Sequence, residues 1–386
     1  MSTQDASVDF TTQPVKTATR RNAGLDALRA CLTLLVVFHH CAITYGAVGG
    51  WYYHEVAPDK SLGSVLLVLF CAINQAFFMG LFFFLAGYYT SSSIDHKGPY
   101  HFLIDRFLRL GMPLLVYGLL IGPATIALAQ TSRGDPFMGT LAQLWRTGTF
   151  ENGPMWFAQA LLMFSVVAAL WNVAFSRPKG YKATRSVCKL FPNNLTLAGG
   201  AIFTGIAALA LRYKWPVGVN VLGLQLGYFA SYIVLYAAGC FTARVRWIER
   251  LPERQVQIWW CIALIALPIL PLVYFLGGKL PELRGHLLTV VYAFWEPFVA
   301  WGTILFLAKH FQQRFDGLVG VWRPLSRRAY TIYIVHPPVL VAVALAWRNV
   351  PAPPLLKFAL TGSLACLLCY LIAGLLLRLP KLSSIL

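Results

Sequence analysis

The sequence predicts an all-α protein, a polytopic membrane bundle of about ten transmembrane helices, and three observations carry that prediction. Of its 386 residues 58% are apolar, against about 45–50% in an ordinary soluble domain. Only 12% are charged, roughly half the usual share. Those charges sit in clusters between apolar runs long enough to span a bilayer, for which about 20 residues suffice.

Candidate spans lie near residues 25–46, 62–89, 107–129, 155–175, 195–211, 221–241, 257–276, 287–308, 329–347 and 358–377. The second is long for a single crossing and is expected to tilt or extend past the interface. The fifth is short, with Gly199, Gly200 and Gly205 blurring its ends. Residues 1–22 read as a disordered cytoplasmic tail and 23–386 as one ten-helix domain, without a linker or repeat. The tail is polar, so the first apolar run is expected to remain as a span rather than to be cleaved as a signal. With an even number of crossings both termini share a side. Segments on that side hold 21 basic residues against 9 on the other, with Arg29 and Arg109 inside helices. This asymmetry places both termini in the cytoplasm. It also explains the net charge of +18 without nucleic acid, because the basic residues flank spans instead of covering one face.

Ionisable side chains inside spans are costly, so each is a functional hypothesis. The first span contains Asp26, Arg29, His39 and His40. Arg29 and His40 are eleven positions apart, which puts them within about 20° of each other around a helix and roughly 16 Å apart along it. Two readings stay open: a cation and a titratable base on one functional line, or a snorkelling Arg29 paired with Asp26 and a His40 that only bonds a neighbouring helix. His39 points about 80° away and reads as a packing residue.

The third span begins DRFLRLG, with Arg106 and Arg109 on one face at i, i+3. Paired guanidiniums at a membrane edge suit a phosphorylated ligand, or else anchor the helix among headgroups. Glu296 is a lone carboxylate well inside a span; it orients His40, contacts an acceptor hydroxyl, or neutralises an arginine. His336 precedes Pro337-Pro338, where freed backbone groups would lie beside an imidazole. Trp51, Tyr52 and Tyr53 fall at a membrane edge, where an aromatic belt is expected and where a sugar could also stack. Cys366 and Cys369 have redox or zinc spacing but apolar surroundings, so they read as packing residues and no metal site is expected.

Several stretches together resemble the acyltransferase-3 family of integral membrane acyltransferases: LDALR followed by Arg29-X10-His40, FFFLAGYY at 82–89, RFLR at 106–109, GPMWFAQALL at 153–162 and YTIYIVHPPVL at 330–340. The resemblance runs from about residue 22 to the end and is nearest to the glucan-modifying succinyltransferase-like group. Ala86 departs from it, standing where the family often has serine. The resemblance implies a bacterial inner-membrane enzyme with no tightly bound cofactor. It would move an acetyl or succinyl group from cytoplasmic acyl-coenzyme A to a hydroxyl of a carbohydrate-type acceptor outside. His40 would be the catalytic histidine, Arg29 its partner, and Arg106 and Arg109 the donor-binding pair. Trp156 and Glu296 are added from position as acceptor-binding residues. The short outer loops suit a small acceptor or one delivered by a partner protein. The competing class is a multi-pass transporter or exporter that couples through intramembrane Arg, His and Glu, and a non-catalytic membrane subunit is a third reading.

Overall fold

Hydrophobic length sets the architecture. The computed structural model describes residues 22–175, 191–276, 281–315, 320–383 and 385. Among them, ten helices are long and apolar enough to cross a bilayer. These are α1 (Ala23–Thr44), α2 (Leu62–Lys97), α3 (Pro99–Arg133), α4 (Gly153–Phe175) and α5 (Asn194–Lys214), then α6 (Leu226–Arg244), α7 (Glu253–Val273), α8 (Leu287–Arg314), α9 (Trp322–Ala346) and α10 (Pro354–Leu376). The chain is an all-α, multi-pass membrane bundle. The expected disordered tail falls almost wholly outside the described residues, as does Cys188. Asn22 alone of that tail is seen, and its side chain accepts the Leu25 amide at 3.2 Å to cap α1.

Boundaries differ from the sequence expectation where polar residues propagate a helix beyond its apolar run. At 36 residues α2 is roughly 54 Å long, well over a hydrocarbon core of about 30 Å. The expected start of the sixth span, 221–224, is instead a turn closed by the Val221–Leu224 bridge.

Prolines inside spans leave backbone carbonyls without their usual amide partner four residues on. Three of these carbonyls are filled by side chains. Pro113 frees the Arg109 carbonyl, which accepts the Tyr330 hydroxyl at 2.6 Å. Pro123 frees that of Leu119, which accepts the Trp145 indole N–H at 2.9 Å. Pro337 frees that of Tyr333, which accepts His336 Nδ1 at 2.6 Å. The helix around Pro337-Pro338 therefore continues unbroken through α9. In α3 the strain of Pro113 and Pro123 appears as two π-helical turns, Phe107–Gly111 and Tyr117–Ile121.

The tightest seam joins α2 and α6. A Cβ on Gly87 would lie 2.1 Å from the Tyr236 carbonyl, and one on Gly239 would lie 2.1 Å from that of Phe84. Two backbones meet here because neither glycine carries a side chain. The seam fixes the aromatic floor on which the site is built, with Phe83 stacked on Tyr232 at 4.9 Å.

Candidate functional site

The last turns of α1, the connection between α1 and α2, the start of α4 and the first turns of α6 surround a cavity of about 650 Å³. That is large enough for a small-molecule ligand. It lies at the end of α1 opposite the chain's amino terminus. His39 and His40 enter it from α1, Trp51 and Tyr52 from the connection, Trp156 from α4, and Tyr228 and Tyr232 from α6.

His40 is the most constrained of these. Its Nδ1 lies 3.0 Å from Nε2 of His336, a ring that is 0% exposed. Trp51 stacks on His40 with ring centres 4.1 Å apart and planes 10° from parallel. It also lies parallel to His336, at 5.9 Å. His39 points in a different direction around α1, as helical phase requires, and meets the cavity packed on Phe78 at 4.9 Å.

The connection that carries Trp51 is pinned at several points. The Glu55 amide donates to the Thr44 carbonyl at 2.9 Å, and the Ser64 hydroxyl to the Gly46 carbonyl at 2.6 Å. Lys357 of α10 forms a buried ion pair with Glu55 and donates to the Arg348 carbonyl at 3.1 Å. Tyr52 shares a hydrogen bond with Tyr117 at 3.1 Å and donates to Glu151 at 3.3 Å. Burial first, and then the Glu151 carboxylate, pushes the Tyr52 phenol above its ordinary value, so it stays a hydroxyl donor.

Trp156 stands in the cavity wall, stacked on Tyr232 at 5.6 Å. Glu296 lies behind that wall at 1% exposure. Its carboxylate pairs with Arg212 and accepts the Ser231 hydroxyl at 2.8 Å. Arg212 in turn lies over Tyr228 and Tyr292, 5.5 and 4.7 Å from their ring centres. Of the three roles the sequence left open for Glu296, the contacts are those of a carboxylate that neutralises a buried arginine.

The arginines gather at the other end of the bundle. Arg29 bonds Asp26 at 3.3 Å. Arg106 is half-buried over Phe102 and within electrostatic reach of Arg29. Arg109 is exposed. The two arginines flank the start of a π-helical turn, Phe107–Gly111, and Arg106 is also within electrostatic reach of Arg109. Between this end and His40 the α1 face is packed, with Leu32, Thr33 and Val36 all buried.

Sequence reasoning placed Trp51 and Tyr52 in an aromatic belt or a sugar-stacking rim and missed the stacking of Trp51 on His40. It did not single out Glu151 or Asn152, which also line the cavity. These residues lie in connections, where hydropathy carries no signal, and the bonding between Tyr52 and Glu151 spans 99 positions.

An acyltransferase-domain family model matches residues 22–374, nearly the whole of the bundle. No curated protein and no solved structure matches the chain. The transporter reading gains nothing from that match, which covers both His40 and the arginine end. The chain belongs to the acyltransferase-3 family and is a membrane-embedded acyltransferase.

Proposed function

We propose that the protein transfers an acetyl or succinyl group from acyl-coenzyme A to a hydroxyl of a carbohydrate-type acceptor held in the His40 cavity. The observation that carries this reading is the position of His40, in the wall of a small-molecule-sized cavity at the opposite end of α1 from Arg29. Both termini are cytoplasmic and the membrane is a bacterial inner membrane. On that orientation the cavity faces outward and the arginines face the pool of acyl-coenzyme A.

The donor's phosphates rest on Arg106 and Arg109 through charge-assisted hydrogen bonds. Arg29 lies next along α1 towards the thioester. The pantetheine arm reaches His40 once α1 parts from its neighbours around Leu32 and Val36. In the cavity, His40 Nε2 takes the acceptor hydroxyl's proton as its oxygen attacks the thioester carbonyl. The tetrahedral intermediate collapses, the carbon–sulfur bond breaks, and the coenzyme A thiolate takes the proton back from the imidazolium. Trp51 favours that imidazolium by presenting an aromatic face to it. A covalent acyl-histidine is a second route through the same nitrogen.

The aromatic wall supports a sugar-like acceptor: Trp156, Tyr228 and Tyr232 offer stacking faces, while Asn152 and Gln75 offer amides. Glu296 contributes through Arg212, by holding Tyr228 and Tyr292 in that wall. The acceptor is small or is presented by a partner protein. The test is mass spectrometry of surface glycans and lipids from cells carrying wild-type protein or His40→Ala, both shown to accumulate in the membrane. Loss of one acyl modification in the variant is the expected result; an unchanged acylation pattern overturns the reading.

A further inference from the structure

His336 uses both ring nitrogens, and chemistry dictates the direction of each bond. The Tyr333 carbonyl accepts only, so the 2.6 Å contact requires a hydrogen on His336 Nδ1. In a neutral ring Nε2 then carries a lone pair. That lone pair faces His40 Nδ1 at 3.0 Å, so His40 Nδ1 holds the hydrogen and donates it. The His40 Nε2 lone pair is left free.

The chain of bonds starts from a proline. In a continuous helix the Tyr333 carbonyl would accept the amide of residue 337. Residue 337 is proline and has no N–H. Its ring leaves the carbonyl open to His336, the residue immediately before it.

We infer that His336 is a positioning residue that fixes the hydrogen of His40 on Nδ1, so that Nε2 is the base, and that Pro337 makes this possible by freeing the Tyr333 carbonyl. The inference rests on the reading of His40 as the base. Glutamine at 336 can place an acceptor oxygen near the position of Nε2, whereas leucine fills similar space and accepts nothing.

Two measurements test it. The first is 15N spectroscopy of histidine-labelled protein in lipid nanodiscs, with the His40 signals assigned by substitution. Wild type and His336→Gln should show His40 protonated on Nδ1 alone, and His336→Leu should show a mixture of tautomers. A His40 protonated on Nε2 in the wild type overturns the inference. The second is transfer of label from acetyl- or succinyl-coenzyme A into native membranes. His336→Leu should lose roughly 10- to 100-fold in kcat, typical of a group that orients an imidazole, with donor KM within about threefold of wild type. His336→Gln should recover most of the loss. Pro337→Ala, which restores a competing amide, should lower kcat several-fold alone and add nothing on top of His336→Leu. Near-wild-type kcat in His336→Leu beside an inactive His40→Ala overturns this inference and leaves the general-base reading standing. Activity in His40→Ala removes that reading itself, while the tautomer spectrum still judges the hydrogen-bond chain.

Discussion

The two ends of α1 carry polar residues in different ways. At the histidine end the chemistry is enclosed: His40 is bonded on one nitrogen, stacked on one face, and surrounded by connections pinned to α1, α2 and α10. At the arginine end Arg109 is exposed and Arg29 half-buried, with Asp26 as its partner. One site is pre-organised, so that little has to move when a proton is transferred. The other presents cations whose long side chains can close on an anion. A group-transfer enzyme in a membrane needs both, since the donor must arrive and leave while the reacting atoms stay fixed.

The largest expected effect separates the ends outright. His40→Ala should lower kcat by about 10²- to 10⁴-fold, the range for loss of a general base, with unchanged accumulation and donor KM. A matching rise in donor KM would mean that the two ends are not independent. Wild-type kcat should also fall as pH drops, because a protonated Nε2 cannot accept the hydroxyl proton.

Next in size is the pin beneath Trp51. Lys357→Met strands the buried Glu55 carboxylate, and breaking such a pair costs about 3–5 kcal/mol. The thermal midpoint should fall, and kcat should fall with it as Trp51 loses its place; a shift in donor KM instead would put the damage at the wrong end. Arg106→Ala with Arg109→Ala should raise donor KM roughly 10- to 100-fold, at about 1.5–3 kcal/mol for hydrogen bonds to charged groups, while kcat at saturating donor holds. Wild-type KM should rise with salt and the double variant's should rise less, because the screened attraction is gone. The smallest effect belongs to the seam both ends share. Gly239→Ala forces α6 away from the Phe84 carbonyl and should cost about 1–3 kcal/mol of stability, without favouring loss of kcat over loss of KM.

Much of this molecule could be read without coordinates. Apolar run length gives ten spans because every backbone group in a bilayer must be satisfied within its own helix. Helical phase separates His40 from His39, since eleven residues return almost to the same face. Pro337 alone announces a freed backbone carbonyl beside the His336 imidazole. Omissions arise where the local rule fails: period and run length do not foresee the π turn at Phe107, and hydropathy says nothing about a connection such as the one that carries Glu151 and Asn152.

By itself, then, the sequence determined the membrane bundle, the side-chain line from Arg29 to His40, and a histidine in α9 with an unusual backbone beside it. These are properties of one helix at a time, governed by period and burial. Only the tertiary structure decided that His336 meets His40 across 296 positions, that Trp51 covers both, and that Glu296 answers Arg212. Such contacts depend on how helices cross and where connections return, and close approaches such as that of Gly87 to the Tyr236 carbonyl set those distances through packing between elements far apart in the chain.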